Sequence, residues 1–142
     1  MAGDIILGYE GSRGSAAALR TAVAVARAFN ATLVVACGYE VSPVGGEVAD
    51  YAKVVQRLGE EKVAEGLAAA RALDPTVTVE AVAVPERPVE ALLSLAGQRQ
   101  ARCIVVGGNS ERPLLGVILG SVPHKLLHRS TVPVLVVPAP EE

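Results

Sequence analysis

The sequence is poor in aromatic residues and carries no excess of positive charge. It contains no tryptophan, and Phe, Tyr and Trp together make up 3% of its 142 residues. Proteins that stack nucleic-acid bases use aromatic side chains, and nucleic-acid interfaces need a basic face. Because the formal net charge is −2, we do not expect this chain to bind nucleic acid.

Long hydrophobic runs and cysteine pairs at redox spacing are also lacking. No apolar run approaches the roughly 18 residues that a membrane-spanning helix needs. The first four residues, Met-Ala-Gly-Asp, lack the basic start that is typical of a signal peptide. Cys37 and Cys103 lie in separate apolar runs, which favours two small buried thiols over a disulfide. We therefore predict a cytoplasmic protein that does not interact with membranes.

Apolar residues, in contrast, are abundant and follow a regular plan. They make up 51% of the chain, whose length fits a single domain over residues 1–142. Short apolar runs that are typical of buried strands alternate with segments whose apolar residues recur at helical spacing. This alternation predicts an α/β fold, with a doubly wound parallel sheet covered by helices on both faces. The predicted strands span residues 5–8, 33–37, 77–84, 103–106 and 134–137.

Two of the predicted helices have clear boundaries and core faces. The first is expected to begin after an N-cap at Ser12 or Ser15 and to stop at Asn30, which tolerates left-handed backbone. The second is expected over residues 51–73, where two glycines on the apolar face would let the helix approach the sheet closely. The residues expected to face the core are Leu19, Ala22, Val23, Ala26 and Phe29 in the first helix and Val55, Gly59, Val63, Gly66, Ala70 and Leu73 in the second.

The loops that follow the first two strands contain candidate ligand-binding residues. Doubly wound sheets bind ligands beyond the carboxyl ends of their strands, and Tyr9 and Glu10 directly follow the first strand. Glu10 can accept hydrogen bonds from ribose hydroxyls, as acidic residues do in other doubly wound nucleotide sites. Gly38, after the second strand, would let an adenine ring approach the backbone. Glu10 is equally compatible with an exposed carboxylate, and Gly38 with an ordinary turn.

The segment from the fourth strand to the last helix predicts an anion site. Gly107 and Gly108 follow the strand, and Gly120-Ser121-Val122 precedes Pro123. Because proline is tolerated only in the first turn of a helix, the last helix should start at Gly120 or Ser121, with Ser121 as its N-cap. The amides of Ser121 and Val122 would then lack intrahelical partners. Such amides suit an anion, most simply the phosphates of a nucleotide. The same residues are also compatible with an ordinary capped helix and an ordinary turn that bind no ligand.

Several catalytic and metal-binding patterns are missing. The chain has neither G-x-x-x-x-G-K-[ST] nor a G-x-G-x-x-G after its first strand, which argues against P-loop NTPases and standard dinucleotide dehydrogenases. No serine has an evident histidine partner oriented by an acid, so we expect at most slow ATP hydrolysis. His124 and His128 have a spacing that a metal can use. No nearby carboxylate or thiol completes a set, and we interpret them as surface or interface residues.

Taken together, these segments resemble the universal stress protein family over essentially the whole chain. The resemblance rests on residues 5–12, 104–107, 119–122 and 132–137, in this order. It implies a five-stranded parallel sheet of strand order 3-2-1-4-5. It also implies a homodimer, often formed through the last strand. Here the segment from Val132 to Val137 is strongly apolar and falls at a predicted sheet edge, which by itself favours pairing with a second copy.

Nucleotide-binding members of this family carry the pattern G-x2-G-x9-G-[ST]. Gly107, Gly120 and Ser121 match it, whereas Ser110 stands in place of the middle glycine. Glu10 stands where the family usually has aspartate. The resemblance implies a stress-response regulator that binds ATP, AMP or a cyclic nucleotide, with Mg²⁺ held mainly by the phosphates and water. The residues expected to contact the nucleotide are Tyr9, Glu10, Gly38, Gly107, Ser110, Gly120, Ser121 and Val122.

Two alternatives to a nucleotide-binding stress protein stay open at this point. The Cβ of Ser110 restricts the backbone and can crowd a phosphate, which is compatible with a dimeric interaction or chaperone-like stress protein that binds no nucleotide. A third class comprises ATP pyrophosphatases and nucleotidyltransferases of similar fold. Those enzymes use S-G-G-x-D-S or H-x-G-H loops, and neither occurs in this sequence.

Overall fold

The chain alternates strands and helices in a computed structural model that describes residues 3–40, 48–108 and 120–139. All strand pairs are parallel, and the sheet order is β3-β2-β1-β4-β5. The predicted α/β architecture and strand order are therefore confirmed. The elements are β1 (Ile5–Gly8), α1 (Arg13–Phe29), β2 (Leu33–Gly38), α2 (Val48–Leu73), β3 (Val79–Val84), α3 (Pro88–Gln98), β4 (Cys103–Gly107), α4 (Ser121–Arg129) and β5 (Val134–Val137).

The sheet buries apolar side chains on both of its faces. In the central strand β1, Ile5, Ile6 and Leu7 are fully buried. Ile5 and Leu7 belong to a core layer shared with α1 and α2, whereas Ile6 belongs to the layer shared with α3 and α4. This two-sided burial explains why the strands are continuous apolar runs in the sequence.

Helix α1 has the predicted caps but not the whole predicted core face. The Ser12 side chain caps the helix by accepting a hydrogen bond from the Ser15 amide at 3.1 Å. Asn30 ends it in the left-handed conformation, with φ 53° and ψ 44°. The prediction for Phe29 is wrong, because this last helical residue is 46% exposed. Its ring lies 4.3 Å from the guanidinium carbon of Arg102, a cation–π contact at the surface.

Helix α2 packs closely on the sheet through its two glycines, as predicted. A Cβ on Gly66 would lie 2.8 Å from Cγ1 of Val35, and one on Gly59 would lie 3.1 Å from Cδ1 of Tyr39. The prediction for Leu73 is wrong, since this residue ends the helix and is 51% exposed. Periodicity identifies a helix face but does not show how far the sheet beneath it extends.

The two edges of the sheet are formed by β3 and β5. Strand β3 forms one edge and begins two residues later than predicted, and β5 forms the other edge beside β4. In β5, Leu135 remains 39% exposed. None of the helices in the described segments combines the length and apolarity that crossing a bilayer requires. The starts of α1, α3 and α4 lie at the carboxyl ends of β1, β2 and β4.

Candidate functional site

A crevice of about 400 Å³ lies at the carboxyl edge of the sheet. It is lined by the last residues of β1, β2 and β4 and by the first turns of α1, α3 and α4. This is the region where the strand order of a doubly wound sheet reverses and where such folds bind ligands. Its volume suits a small molecule.

Most of the sequence-predicted site residues meet in this crevice. Gly120 is not among the lining residues; it directly precedes the lining residue Ser121, and its amide donates a hydrogen bond to the carbonyl of Gly108 at 3.0 Å. Ser110 lies outside the described residues. The six predicted residues that line the crevice are Tyr9, Glu10, Gly38, Gly107, Ser121 and Val122.

Helix α4 starts at Ser121, as predicted, but its N-cap lies one residue earlier than predicted. Gly120 is the N-cap, with φ −64° and ψ 169°, and Ser121 is the first helical residue, so the prediction that Ser121 caps the helix is wrong. The hydrogen bond between Gly120 and Gly108 explains the shift, because it fixes Gly120 in extended backbone beside β4. Pro123 then occupies the first turn without loss of a hydrogen bond. Ser121 is exposed and lines the crevice.

A compact hydrogen-bond network forms the start of α1. The Ser15 hydroxyl accepts from the Gly11 amide at 3.1 Å and donates to the Ser12 carbonyl at 3.0 Å. Gly11 adopts φ 88°, a left-handed conformation that favours glycine. The Ser12 hydroxyl donates to a carboxylate oxygen of Glu10. Glu10 is thereby held at the crevice rim with one of its two carboxylate oxygens engaged.

Tyr9 and Cys37 show how burial modifies groups near the crevice. The Tyr9 side chain packs against α2, where its hydroxyl donates to Oε1 of Glu65 at 3.2 Å. Burial and this negatively charged neighbour raise the pKa of Tyr9. Burial also raises the pKa of the Cys37 thiol, although the positive charge of Lys62 acts in the opposite direction. Cys37 is half-buried and unpaired, and it lines the crevice.

Gly107 and Gly38 are required by helix packing. A Cβ on Gly107 would lie 2.7 Å from the carbonyl carbon and oxygen of Gly14 in α1. A Cβ on Gly38 would lie 2.7 Å from the Glu86 carbonyl oxygen and 2.9 Å from Cα of Pro88. Real Cβ atoms do not approach backbone atoms so closely. Both glycines therefore let a helix start close to the end of a strand, a requirement that the sequence analysis had not identified.

The sequence analysis also missed the apolar part of the crevice. These side chains belong to the same apolar runs and stripes that build the core, and no residue pattern separates them from it. Among these apolar lining residues, Pro88 has a recognisable sequence signal, since a proline at the start of a helix after β3 falls at the carboxyl edge of the sheet. The apolar lining residues that were missed are Ala36, Pro88, Leu92 and Val106.

The crevice thus combines two chemistries. The starts of α1 and α4 offer backbone amides that lack intrahelical partners, together with serine hydroxyls and the partial positive charge of each helix N-terminus. The walls from β2, β4 and α3 are apolar. A ligand with an anionic group and an apolar ring matches both parts. Within the described segments, no group of three or more His, Cys, Asp or Glu side chains is placed to hold a metal ion.

Comparison with known proteins gives a consistent result. A model of the universal stress protein family matches residues 1–138. Universal stress proteins of Mycobacterium tuberculosis and Mycobacterium bovis are 38% identical to the chain over 82 residues. The match covers 58% of this chain and 27% of each relative, so it spans about a quarter of the length of these relatives.

Two solved structures resemble the whole chain. One is a universal stress protein in complex with cAMP, with 29% identity and a TM-score of 0.77, covering 99% of this chain and 100% of that one. The other is the universal stress protein from Archaeoglobus fulgidus in complex with dAMP, with 19% identity and a TM-score of 0.67, covering 94% of this chain and 96% of that one. At that identity, the second likeness shows the fold alone.

Proposed function

Since the chain belongs to the universal stress protein family, we propose that it binds an adenine nucleotide in the crevice at the carboxyl edge of its sheet. The observation that carries this proposal is the convergence of two helix N-termini, those of α1 and α4, on a crevice that also has an apolar lining. The similar universal stress protein in complex with cAMP supports the choice of ligand class. The proposed ligands are ATP, AMP and cyclic nucleotides.

The phosphate end of the nucleotide is assigned to the first turns of α4 and α1. The amides of Ser121 and Val122 precede the first intrahelical hydrogen bond of α4, in which His124 donates to Gly120 at 3.2 Å. Each helix N-terminus carries the equivalent of about half a positive charge. The Ser121 hydroxyl supplies a further donor, and the proposed backbone contacts include Gly107, Ser110 and Gly120. Mg²⁺ would be held by phosphate oxygens and water.

The ribose and the base are assigned to the remaining walls. Ser12 engages one carboxylate oxygen of Glu10, which leaves the other oxygen able to accept hydrogen bonds from ribose hydroxyls. The adenine ring is placed beside the backbone at Gly38 and against the side chain of Leu92, both of which line the crevice. The side chain of Tyr9 is engaged by α2, so its proposed contribution comes from the backbone.

The proposed biological role is that of a single-domain stress-response regulator in the cytoplasm, not of an efficient enzyme. Two unpaired cysteines are compatible with a reducing compartment. The proposed assembly is a homodimer that pairs along the exposed edge of β5, where Leu135 is 39% exposed. Pairing about a two-fold axis would bring the same residues of both copies together.

Calorimetric titration with AMP, cAMP and Mg-ATP tests nucleotide binding, and position 121 offers a matched pair of variants. Ser121→Gln and Ser121→Glu add side chains of nearly equal size, but only the glutamate adds negative charge. An acidic residue in the first turn stabilises a helix, so Ser121→Glu should fold at least as well as Ser121→Gln. We expect Ser121→Glu to bind nucleotide much more weakly than Ser121→Gln. Absence of heat from the wild-type protein at millimolar ligand would exclude nucleotide binding.

The second candidate function is that of a dimeric interaction or chaperone-like protein. Ser110 favours it, because serine replaces the middle glycine of the nucleotide-binding pattern. A melting temperature that nucleotide leaves unchanged, in a protein that is a stable dimer, would support this function. A ligand-dependent rise in the melting temperature would support nucleotide binding, because a ligand that binds only the folded state stabilises it.

A further inference from the structure

His124 and His128 form an exposed pair of imidazoles on α4. They lie one helical turn apart, both are exposed, and their ring centroids are 4.7 Å apart with an interplanar angle of 64°. The pair contains both histidines of the chain. It lies outside the crevice lining, and nothing in the proposed nucleotide site uses it. Neither ring contributes to the buried core.

The separation of the rings matches that of two imidazoles bound to one metal ion. A metal–nitrogen bond of about 2.0–2.1 Å, with about 1.1 Å from the nitrogen to the ring centre, puts each ring centre about 3.2 Å from the metal. Two centres 4.7 Å apart then subtend an angle of about 95° at the metal. Rotation about the soft χ2 angle of each exposed ring can direct one nitrogen of each toward the shared position.

From this geometry we propose that His124 and His128 form a two-histidine site for a divalent transition-metal ion. An angle close to 90° suits the tetragonal and octahedral geometries of Cu²⁺ and Ni²⁺ better than the tetrahedral geometry of Zn²⁺. No third His, Cys, Asp or Glu completes the set within the described segments, so water occupies the other coordination positions. The site is independent of the proposed nucleotide function.

Metal binding at this pair depends on the folded helix. The i, i+4 spacing brings the two rings together only while residues 124–128 are helical. A metal that binds both rings therefore favours the folded state and raises the melting temperature. Lys125, which is exposed between the two histidines, adds a positive charge that lowers the affinity of the site without occupying it.

Titration of the nucleotide-free protein with Ni²⁺ at pH 7.5 tests the proposal. We expect one Ni²⁺ per chain, simultaneous perturbation of both imidazole resonances in NMR spectra, and an increase in melting temperature. His124→Gln and His128→Gln should each weaken binding by roughly tenfold or more, as even loss of an outer-shell partner does at metal sites. All substituted positions are exposed, and circular dichroism verifies that the variants fold.

A double variant provides the matched control. His128→Gln combined with Arg129→His keeps two imidazoles but places the second about 140° around the helix from His124. It also removes the exposed ion pair between Arg129 and Glu90, at 3.0 Å, which is expected to matter little for stability. This control should bind Ni²⁺ as weakly as the single variants. Binding by the control at wild-type affinity, two independent ions per wild-type chain, or no effect of either single substitution would overturn the proposal.

Discussion

Replacement of Gly107 with alanine is the sharpest test of how the end of β4 is built. Gly107 is the last residue of β4, and α1 begins directly against it. An alanine Cβ would lie 2.7 Å from both the carbonyl carbon and the carbonyl oxygen of Gly14. Because these are backbone atoms of a helix, no side-chain rotation relieves the overlap, and α1 must move away from the sheet.

The size of the effect follows from the cost of overpacking. Inserting a methyl group into a well-packed interior typically costs about 1–3 kcal/mol. We expect Gly107→Ala to lower the free energy of unfolding by about 2–3 kcal/mol, because a whole helix start is displaced. For a chain of this length, that loss corresponds to a decrease in melting temperature of roughly 6–12 °C.

The neighbouring glycine provides the control. A Cβ on Gly108 would meet its nearest atoms, Cγ1 of Val136 and the carbonyl oxygen of Val137, at 3.5 Å, an ordinary contact. Its φ lies outside the left-handed region, so Gly108→Ala should be neutral or stabilise by up to about 1 kcal/mol. Urea and thermal unfolding at equal protein concentration measure both variants. Equal stability of Gly107→Ala, Gly108→Ala and the wild type would refute the packing role of Gly107.

Three further predictions concern other parts of the molecule. Hydrogen bonds from Thr76 lower the pKa of Asp74 in the folded state. The stabilising effect of Asp74 is therefore present above the unfolded pKa of about 3.9 and is lost as the pH falls through the lower folded-state pKa. Asp74→Asn should be less stable than the wild type in urea at pH 7, with a difference that narrows as the pH falls below about 3.9. Burial raises the pKa of the Cys37 thiol in the folded protein. In a Cys103→Ser background at pH 8, iodoacetamide should therefore alkylate Cys37 more slowly in the native protein than in the urea-unfolded protein, and AMP should slow the reaction of the native protein further. Equal rates for the native and unfolded protein would contradict this prediction. Leu135→Lys should convert the proposed homodimer to a monomer, as measured by light scattering. A wild-type protein that is itself monomeric would contradict pairing along β5.

The strands and helices were predictable because they depend on local sequence patterns. Continuous apolar runs are typical of strands that are buried on both faces of a parallel sheet, and the predicted strand bounds lie within two residues of the observed ones. Asn30 was predictable as a helix stop because its left-handed conformation is a property of the residue itself. The strand order came from the family resemblance, since apolar runs alone do not distinguish one order from another.

Features that depend on tertiary contacts were not predictable from the sequence. The one-residue error in the N-cap of α4 arises from the hydrogen bond between Gly120 and Gly108, which joins the helix start to the end of β4. Phe29 and Leu73 fit their helical stripes but end their helices where the opposing surface stops. The apolar lining of the crevice was missed for a similar reason, because a core residue and a pocket residue on the same strand have the same sequence signal.

The packing role of Gly107 and Gly38 gives these residues an indirect connection to the proposed nucleotide site, in which Gly107 supports the anion-binding start of α1 and Gly38 supports the start of α3. Coulombic attraction between a helix N-terminus and an anion falls with distance, and the effect of the helix dipole is confined to its first turn. Gly107 lets the first turn of α1 start in contact with β4, and Gly38 does the same for α3 and β2. A side chain at either position would move a helix start away from the crevice, and with it any amides that face a ligand. A glycine requirement at these strand ends is therefore expected even if neither glycine touches the nucleotide.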